Sequence, residues 1–469
     1  MPTLQWLRDL APDCSSFRPR TTDDAWEDAF NPKWPQVEPG LTSRKLAAVP
    51  FSVAMGGWFG FRTRGLFSLP SELLAIVAQE LTPEDLASLA LCSVECRQLA
   101  RTEQFKVWYY TGGPPDLLKV LVREAVDRTG GHLARQPPLG ACVRHIHITQ
   151  RWWDALHDLR NFGHEEAYKM HVSYYGVLQH LLRECFPNLE TLTWADGSHL
   201  TTKLVRSIIE APARHLQLRR FRLPQEAMTD FRNNPLSLPS LVTLDMHILY
   251  EMPWEAPEGA PDLKWSTYGA AALMMESCAE TLQTLRWNGS GEQRGRKAVS
   301  VPIPKMKSLR RLELEDVRIK TATDVDALVP RESTLMHLGL DGVDLSSHFG
   351  NFLASRGRLP TLKSIVLVER LGHREGAFSF LTSNPQLEII GVSETKPADM
   401  AKLASLLPHF RLLRSLHVGY DQGNDIFDDD TLQKIAQIQS LEYLHLSASS
   451  ALQNLTKLPD WHVDHKAVR

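Results

Sequence analysis

The chain has 469 residues, a length that suits two or three structural units better than a single hydrophobic core. Its 52 basic and 55 acidic residues give a formal net charge of −3, so the overall charge favours neither nucleic acid nor an anionic membrane surface. Six scattered cysteines exclude a disulfide scaffold and predict reduced thiols in an intracellular protein.

The N-terminal residues predict neither an export signal nor a membrane segment. Arg8 and Asp9 lie where a signal peptide would carry its apolar core. The best apolar stretch, residues 47–61, is short and contains Pro50, so it cannot span a bilayer. We therefore expect a protein of the cytoplasm, the nucleus or both, with no membrane contact.

Residues 1–66 mix proline, arginine, aspartate and isolated tryptophans without a sustained periodicity. This composition predicts an N-terminal arm that is partly disordered. The tryptophans are nevertheless many for a solvated tail, so the arm is a candidate for docking onto the body of the protein or onto a partner. They are Trp6, Trp26, Trp34 and Trp58.

Residues 67–110 predict a small unit of three amphipathic helices. A Leu-Pro pair at 69–70 precedes the first helix, in which Leu73 and Ile76 lie on one apolar stripe. A unit of about forty residues is small for an independent core. Part of its apolar surface is therefore expected to need a partner or the following domain.

The second helix of this unit is predicted to begin at Thr82, which can cap it, and Pro83 suits the first helical position. Leu86 and Leu89 continue its apolar face. A third helical segment follows from Val94 and closes the unit.

The order and spacing of these residues resemble an F-box. The residues that carry the resemblance are Leu69-Pro70, Leu73-Leu74, Leu86, Leu89, Cys96-Arg97 and Trp108. The resemblance implies that the unit binds a Skp-type adaptor and, through it, a cullin ubiquitin ligase. The positions carried over as adaptor contacts are Leu69, Pro70, Leu73, Ile76, Leu86 and Leu89. The third helix departs from the family pattern because no aromatic residue follows Arg97. The alternative to an F-box is a three-helix packing unit that binds no partner.

The chain becomes periodic after residues 111–140, which are predicted to form a helical connector. From 141 to 450 a Leu-x-x-Leu-x-Leu motif recurs, and its regular copies are 25 to 28 residues apart. This interval is typical of leucine-rich repeats, which have periods of about 20–29 residues. The regular copies begin at Leu282, Leu309, Leu335, Leu362, Leu387, Leu413 and Leu441, and looser copies begin at Val143, Leu189, Leu218 and Leu241.

Helical patterns lie between the copies of the motif, so each repeat is predicted to be a strand followed by a helix. The predicted fold is an α/β solenoid, a leucine-rich-repeat-like array of strand–helix units preceded by a three-helix F-box and followed by a tail at 451–469. Val317 and Val343 replace the asparagine that is typical of the repeat. The chain therefore resembles fungal-like F-box proteins with degenerate C-terminal leucine-rich repeats.

The strand residues that alternate with the leucines are expected to point outward on the concave face, where a target protein would bind. They mix both signs of charge, which suits a folded or peptide partner better than bare phosphate. The alternative for any single one of these residues is that it is an ordinary solvated strand residue that binds no target. An insertion at 252–262 is a candidate rim contact. The predicted row is Arg220, Arg222, Asp245, His247, Arg286, Asn288, Arg311, Glu313, Glu315, His337, Asp341, His417, Tyr443 and His445.

No motif for catalysis is present in the sequence. Neither a phosphate-binding loop nor a nucleophile elbow occurs. His145 and His147 alternate on one strand, but polar residues of the concave face explain them better than a metal site does. We therefore expect no catalytic residue, cofactor or metal. Substrate recognition in a cullin ubiquitin ligase is the first hypothesis, and a non-catalytic repeat scaffold outside ubiquitin ligation is the alternative.

Overall fold

The computed structural model describes residues 51–55, 65–110, 120–121, 124, 137–149, 176–195, 200–250, 267–289, 302–317, 319, 321–330, 332–341, 348–368, 374–395, 397–420 and 429–448. The insertion at 252–262 and the tail at 451–469 lie outside these residues, as do most of the predicted arm and connector. The chain divides into two compact units, with the boundary between Leu241 and Val242.

Four helices open the described part of the first unit. Two of them begin at residues that cap them: the Thr82 hydroxyl accepts a hydrogen bond from the Asp85 amide at 3.2 Å, and the Ser93 hydroxyl accepts one from the Cys96 amide at 3.1 Å. The last three of these helices lie where the sequence predicts helices. The four helices are α1 (Phe51–Ala54), α2 (Ser71–Gln79), α3 (Pro83–Ala90) and α4 (Val94–Gln104).

The core of this helical group extends beyond the predicted residues 67–110, because α1 contributes to it. Phe51 of α1 is buried and stacks on Phe67 with ring centroids 5.1 Å apart. The sequence showed an apolar stretch at residues 47–61 but did not predict that it contributes to this core. The buried core is formed by Phe51, Met55, Leu74, Ala78, Leu86, Leu99 and Ala100.

Gln98 of α4 joins the helical group to the start of the sheet. Its buried amide donates hydrogen bonds to the carbonyl oxygens of Ala54 at 2.5 Å and Pro138 at 3.1 Å, and it lies 3.0 Å from the Cys142 sulfur. Buried amides need such partners, so this side chain fixes three segments together. Trp108, also buried, packs on Phe186 with ring centroids 5.8 Å apart.

The strands of the first unit are parallel and follow chain order, so that α4 leads directly into the first of them. The apolar residues align across this sheet, with Ile146 opposite both Trp108 and Leu192. The strands are β1 (Val107–Tyr110), β2 (His145–Thr149), β3 (Thr191–Ala195) and β4 (His215–Leu223), and helices α5 (Thr202–Ile209) and α6 (Gln225–Asn233) flank β4 in the chain.

The predicted register of β4 is wrong. Leu192 and Trp194 of β3 pair with Leu216 and Leu218, whereas the motif was placed from Leu218 onward. The strand is long and its alternation is broken at Arg220, which has a positive φ of 50°. Apolar residues are buried on both sides of this break, so their spacing fitted two registers.

The strands of the second unit are parallel and follow chain order in nearly constant register, and a described helix lies between all but one pair of successive strands. One apolar motif residue stands opposite the next along the strands: Leu244, Leu285, Leu312, Leu338, Ile365, Ile390, Leu416 and Leu444. The strands are β5 (Thr243–Tyr250), β6 (Thr284–Asn288), β7 (Arg311–Glu315), β8 (His337–Asp341), β9 (Ser364–Val368), β10 (Ile389–Thr395), β11 (Ser415–Tyr420) and β12 (Tyr443–Ala448). The helices are α7 (Thr267–Glu276), α8 (Ala322–Leu328), α9 (His348–Arg356), α10 (Arg374–Ser383), α11 (Pro397–Leu406) and α12 (Asp429–Ala436).

A ladder of side-chain hydroxyls connects successive repeats of the second unit. Thr334 donates to the carbonyl of Leu309 at 3.1 Å, and Thr361 donates to the carbonyl of Leu335 at 2.8 Å. Ser440 donates in the same way to Leu413 at 2.8 Å. Each donor directly precedes a motif leucine in the sequence. The spacing of the leucines alone did not predict these hydroxyl contacts.

We predict that Phe51→Ala destabilises the helical group by about 3 kcal/mol, because it removes a buried aromatic ring from a small core. Pulse proteolysis of the full chain across a urea titration, with cleavage detected within residues 71–104, measures this change.

The matched control is Val53→Ala on the same helix, whose side chain is exposed. It is expected to change the stability by less than about 0.5 kcal/mol. Equal sensitivity of the two variants would show that α1 does not belong to this core.

Candidate functional site

Helix α2 is apolar on two of its faces. Leu74 and Ala78, four residues apart, point into the core. Leu73 and Ile76 point the other way and are 45% and 53% exposed, and Leu69, just before the helix, is 38% exposed. The inner face explains the folding of the helix, whereas the outer face stays substantially exposed among the described residues. We call Leu69, Pro70, Leu73 and Ile76 the outer apolar face of α2.

The structure changes the role of two predicted adaptor contacts. Leu86 is only 6% exposed and belongs to the core, so it is corrected from a surface contact to a packing residue. Leu89 is half-buried and packs against the same core. The reason is that α3 uses these two positions, three residues apart, to cover α2 and α4.

Leu91 is a surface residue that the sequence pattern missed. It directly follows Ala90, the last residue of α3, and is 83% exposed. Only its position next to the helix end could have pointed to it, because it lies outside the apolar periodicity. Arg97 supports this end of the helix by donating to the Ala90 carbonyl at 3.3 Å.

Two comparisons with known proteins bear on this helical group. A family model for the F-box domain matches residues 66–108, so an F-box domain is present there. The match includes α2, α3, α4 and the outer apolar face. No curated protein matches the chain.

The second candidate site is the sheet face of the second unit that lies opposite the motif leucines. We call it the polar face, and its central row has one residue from each strand. In chain order the row reads Asp245, Arg286, Glu313, Gly339, Val366, Gly391, His417 and His445.

A cluster of opposite charges centres on Glu313, which is buried. Its carboxylate lies 2.6 Å from Arg286, 2.6 Å from Arg311 and 3.2 Å from Nε2 of His337. Asp245 lies 3.9 Å from Arg286 on the other side. Because the charges balance, the cluster is a paired network within the sheet face and not a free cationic or anionic site.

These neighbours govern the ionisation of the cluster. Burial alone raises the pKa of Glu313, but the charges of Arg286, Arg311 and His337 outweigh it and lower that pKa from 4.5 to about 2. Burial, together with the charges of Arg311 and Arg286, lowers the pKa of His337 by more than the contact with Glu313 raises it. Glu313 is therefore a carboxylate at neutral pH, held by two guanidinium groups.

The predicted row is thus only partly available to a target. Asp245, Glu313 and His417 are buried, which corrects the expectation of an open row, and Arg286, Arg311 and His337 face Glu313. Opposite charges on adjacent strands come close enough to pair, and the pairing removes them from solvent. Arg220 and His445 are exposed, while Arg222, His247, Asn288, Glu315, Asp341 and Tyr443 are half-buried.

The two histidines of β2 lie in the interior of the first unit. His145 and His147 are buried, and burial lowers the pKa of each to about 4. Tyr109 stacks on His147 with ring centroids 5.0 Å apart. Within the described residues, no group of three or more histidine, cysteine, aspartate or glutamate side chains is placed to hold a metal ion. None of the described helices is long and apolar enough to cross a membrane.

We predict that Glu313→Gln lowers the free energy of unfolding of the second unit by about 3–5 kcal/mol at pH 7, because it removes the buried carboxylate that pairs with the half-buried guanidinium groups of Arg286 and Arg311. Urea titrations at several pH values measure the loss.

The same titrations test the sign of the pH dependence. A carboxylate with a folded-state pKa of about 2, below its ordinary 4.5, stabilises the fold above about pH 4.5 and loses that contribution as the pH falls toward 2. The glutamine variant is expected to lack this component. Glu276→Gln, an exposed glutamate of α7, is the control that should retain it. An unchanged pH slope in Glu313→Gln would contradict the account of the cluster.

Proposed function

We propose that this protein is the substrate-recognition subunit of an SCF-type cullin ubiquitin ligase. Its F-box binds a Skp-type adaptor and, through the adaptor, a cullin. The observation that carries the proposal is the outer apolar face of α2 within the matched F-box, where Leu69, Leu73 and Ile76 are each more than a third exposed.

An adaptor groove that covers these side chains supplies a favourable free energy from apolar burial. Full burial of one leucine or isoleucine stabilises a complex by about 1.5–3 kcal/mol. A compact group of such residues is the usual form of an interface core. Pro70 keeps the chain extended as it enters α2. We include Leu91 as a further contact because it is the most exposed large apolar residue of the helical group.

We infer that residues 141–450 form a degenerate leucine-rich-repeat solenoid. Three features support this inference: the constant register of the strands, the spacing of 25 to 28 residues between motif leucines, and the hydroxyl ladder between repeats. The array would present the target to a ubiquitin-conjugating enzyme, so the chain itself works by positioning and contributes no catalytic residue.

The target is proposed to bind outside the Glu313 cluster. The residues of this cluster already pair with one another, so a partner could bind them only by breaking those ion pairs. Arg220 in the first unit and His445 in the second are exposed, and Tyr443 is half-buried. They are the predicted target-binding residues that we retain as the first to test.

Co-expression of the full chain with a Skp-type adaptor, followed by size-exclusion chromatography, tests the proposal. We predict a stoichiometric complex that the triple variant Leu69→Ala/Leu73→Ala/Ile76→Ala fails to form. Each truncation removes about 1–2 kcal/mol of apolar contact, which corresponds to about tenfold weaker binding or more.

Leu412→Ala is the matched control, since Leu412 is as exposed as Ile76 but lies in the second unit. This variant is expected to bind the adaptor as the unmodified chain does. If the folded chain forms no complex, the proposal fails, and a repeat scaffold outside ubiquitin ligation becomes the better description.

A further inference from the structure

One position in the repeats of the second unit carries a hydrogen-bond donor in all but one of the six regular copies from Leu309 to Leu441. The residue directly precedes the first leucine of the motif, and its side chain donates to a carbonyl oxygen of the preceding repeat. The exception is Leu412, which has no group to donate. The donors are Ser308, Thr334, Thr361, Gln386 and Ser440, at donor–acceptor distances of 2.7 to 3.1 Å.

Leu412 also extends into solvent. It is 54% exposed, more than any other large apolar side chain in the described part of the second unit. Its counterparts in the adjacent repeats, Gln386 and Ser440, are half-buried. The leucine therefore lacks the hydrogen bond that the other repeats make here, and it buries less than half of its own surface. Because folding does not explain this residue, its departure from the local pattern indicates a function.

Two arginines lie on either side of Leu412 in the chain. Arg411 is exposed, and its side chain makes no hydrogen bond or ion pair within the described residues. Arg414 is 63% exposed and lies 3.9 Å from Glu442, which is itself 47% exposed. An ion pair that is so exposed stabilises the fold little, so Arg414 can exchange this partner for another carboxylate at small cost.

The nearest acidic residue of the preceding repeat does not neutralise these arginines. Glu388 is adjacent to Arg414, because its carbonyl oxygen accepts a hydrogen bond from the Arg414 amide at 2.8 Å. Its carboxylate, however, already lies 2.8 Å from Lys363. Two carboxylates therefore face three basic side chains around Leu412, which leaves an excess of one positive charge.

We propose that Leu412, Arg411 and Arg414, which we call the Leu412 surface, bind a segment of a partner protein in which an apolar side chain lies between carboxylates. The apolar side chain covers the leucine, and the carboxylates pair with the two arginines. Arginine beside a covered apolar residue is a common composition of interface centres.

A second copy of the chain is the competing occupant of the Leu412 surface. A twofold contact between two copies places the same arginines against one another, and like charges at close range oppose such a contact. The surface lies in the second unit, so the proposal holds whether or not the F-box recruits an adaptor.

Fluorescence anisotropy with the full chain tests the proposal. The probe is a fluorescein-labelled decapeptide with one central leucine flanked by glutamates, and the reference probe has serine in place of that leucine. We expect saturable binding of the leucine probe, which Leu412→Thr weakens by about tenfold because it removes one buried leucine contact. The variant Arg411→Gln/Arg414→Gln is expected to weaken binding by about fivefold and to reduce its dependence on salt.

A urea titration of Leu412→Thr separates lost binding from lost folding. Threonine restores the donor that the other repeats carry, so the midpoint is expected to equal or exceed that of the unmodified chain. Leu432→Thr is the matched control for binding, since Leu432 is also an exposed leucine of the second unit but lies on α12. It is expected to bind the leucine probe as the unmodified chain does.

Three results would overturn the proposal. The first is the absence of binding to the leucine probe, and the second is equal binding of the leucine and serine probes or of Leu412→Thr and the unmodified chain. The third is a dimer of the unmodified chain, found by analytical ultracentrifugation, that Leu412→Thr converts to a monomer, because a second copy would then occupy the Leu412 surface.

Discussion

The in-register burial of the motif leucines on one sheet face is the constraint on which the rest of the structure depends. Parallel neighbours cannot be joined by a tight turn, so a crossover connection separates each strand from the next and sets the interval between repeats. In the second unit a described helix lies in each of these connections except the one between β6 and β7. In the first unit β1 obeys the same rule, because it pairs in parallel with β2. Since β1 follows α4 almost directly, the pairing attaches the F-box helices to the sheet.

The F-box helices contain two apolar surfaces with different consequences. Leu74 and Ala78 fill the inner core of α2, to which α1 adds Phe51. Leu73 and Ile76 lie on the opposite side and leave about half of their surface exposed. Apolar residues grouped on the outside of such a small unit are what adaptor binding requires. The buried Gln98 amide bonds then hold this surface in a fixed relation to the first strands.

The sequence predicted the strands of the second unit well because their leucines recur at a regular interval and alternate along each strand. The prediction failed where the spacing of apolar residues fitted two registers. It also failed where contacts with other elements determine whether a side chain is buried. The register of β4 was misplaced because buried residues lie on both sides of the break in alternation at Arg220. Leu86 was assigned to the surface because periodicity marks an apolar face without saying what covers it. The burial of Glu313 depends on Arg286 of the neighbouring strand, a pairing that only the register reveals.

The exchange footprint of the full chain with and without a Skp-type adaptor tests the central claim most directly. Our account predicts that the adaptor slows amide exchange in residues 69–80, which include α2, and leaves exchange in residues 311–341 of the polar face unchanged. Adaptor binding that protects the polar face and leaves α2 unprotected would contradict it. So would the absence of any protection at an adaptor concentration that saturates other F-box proteins.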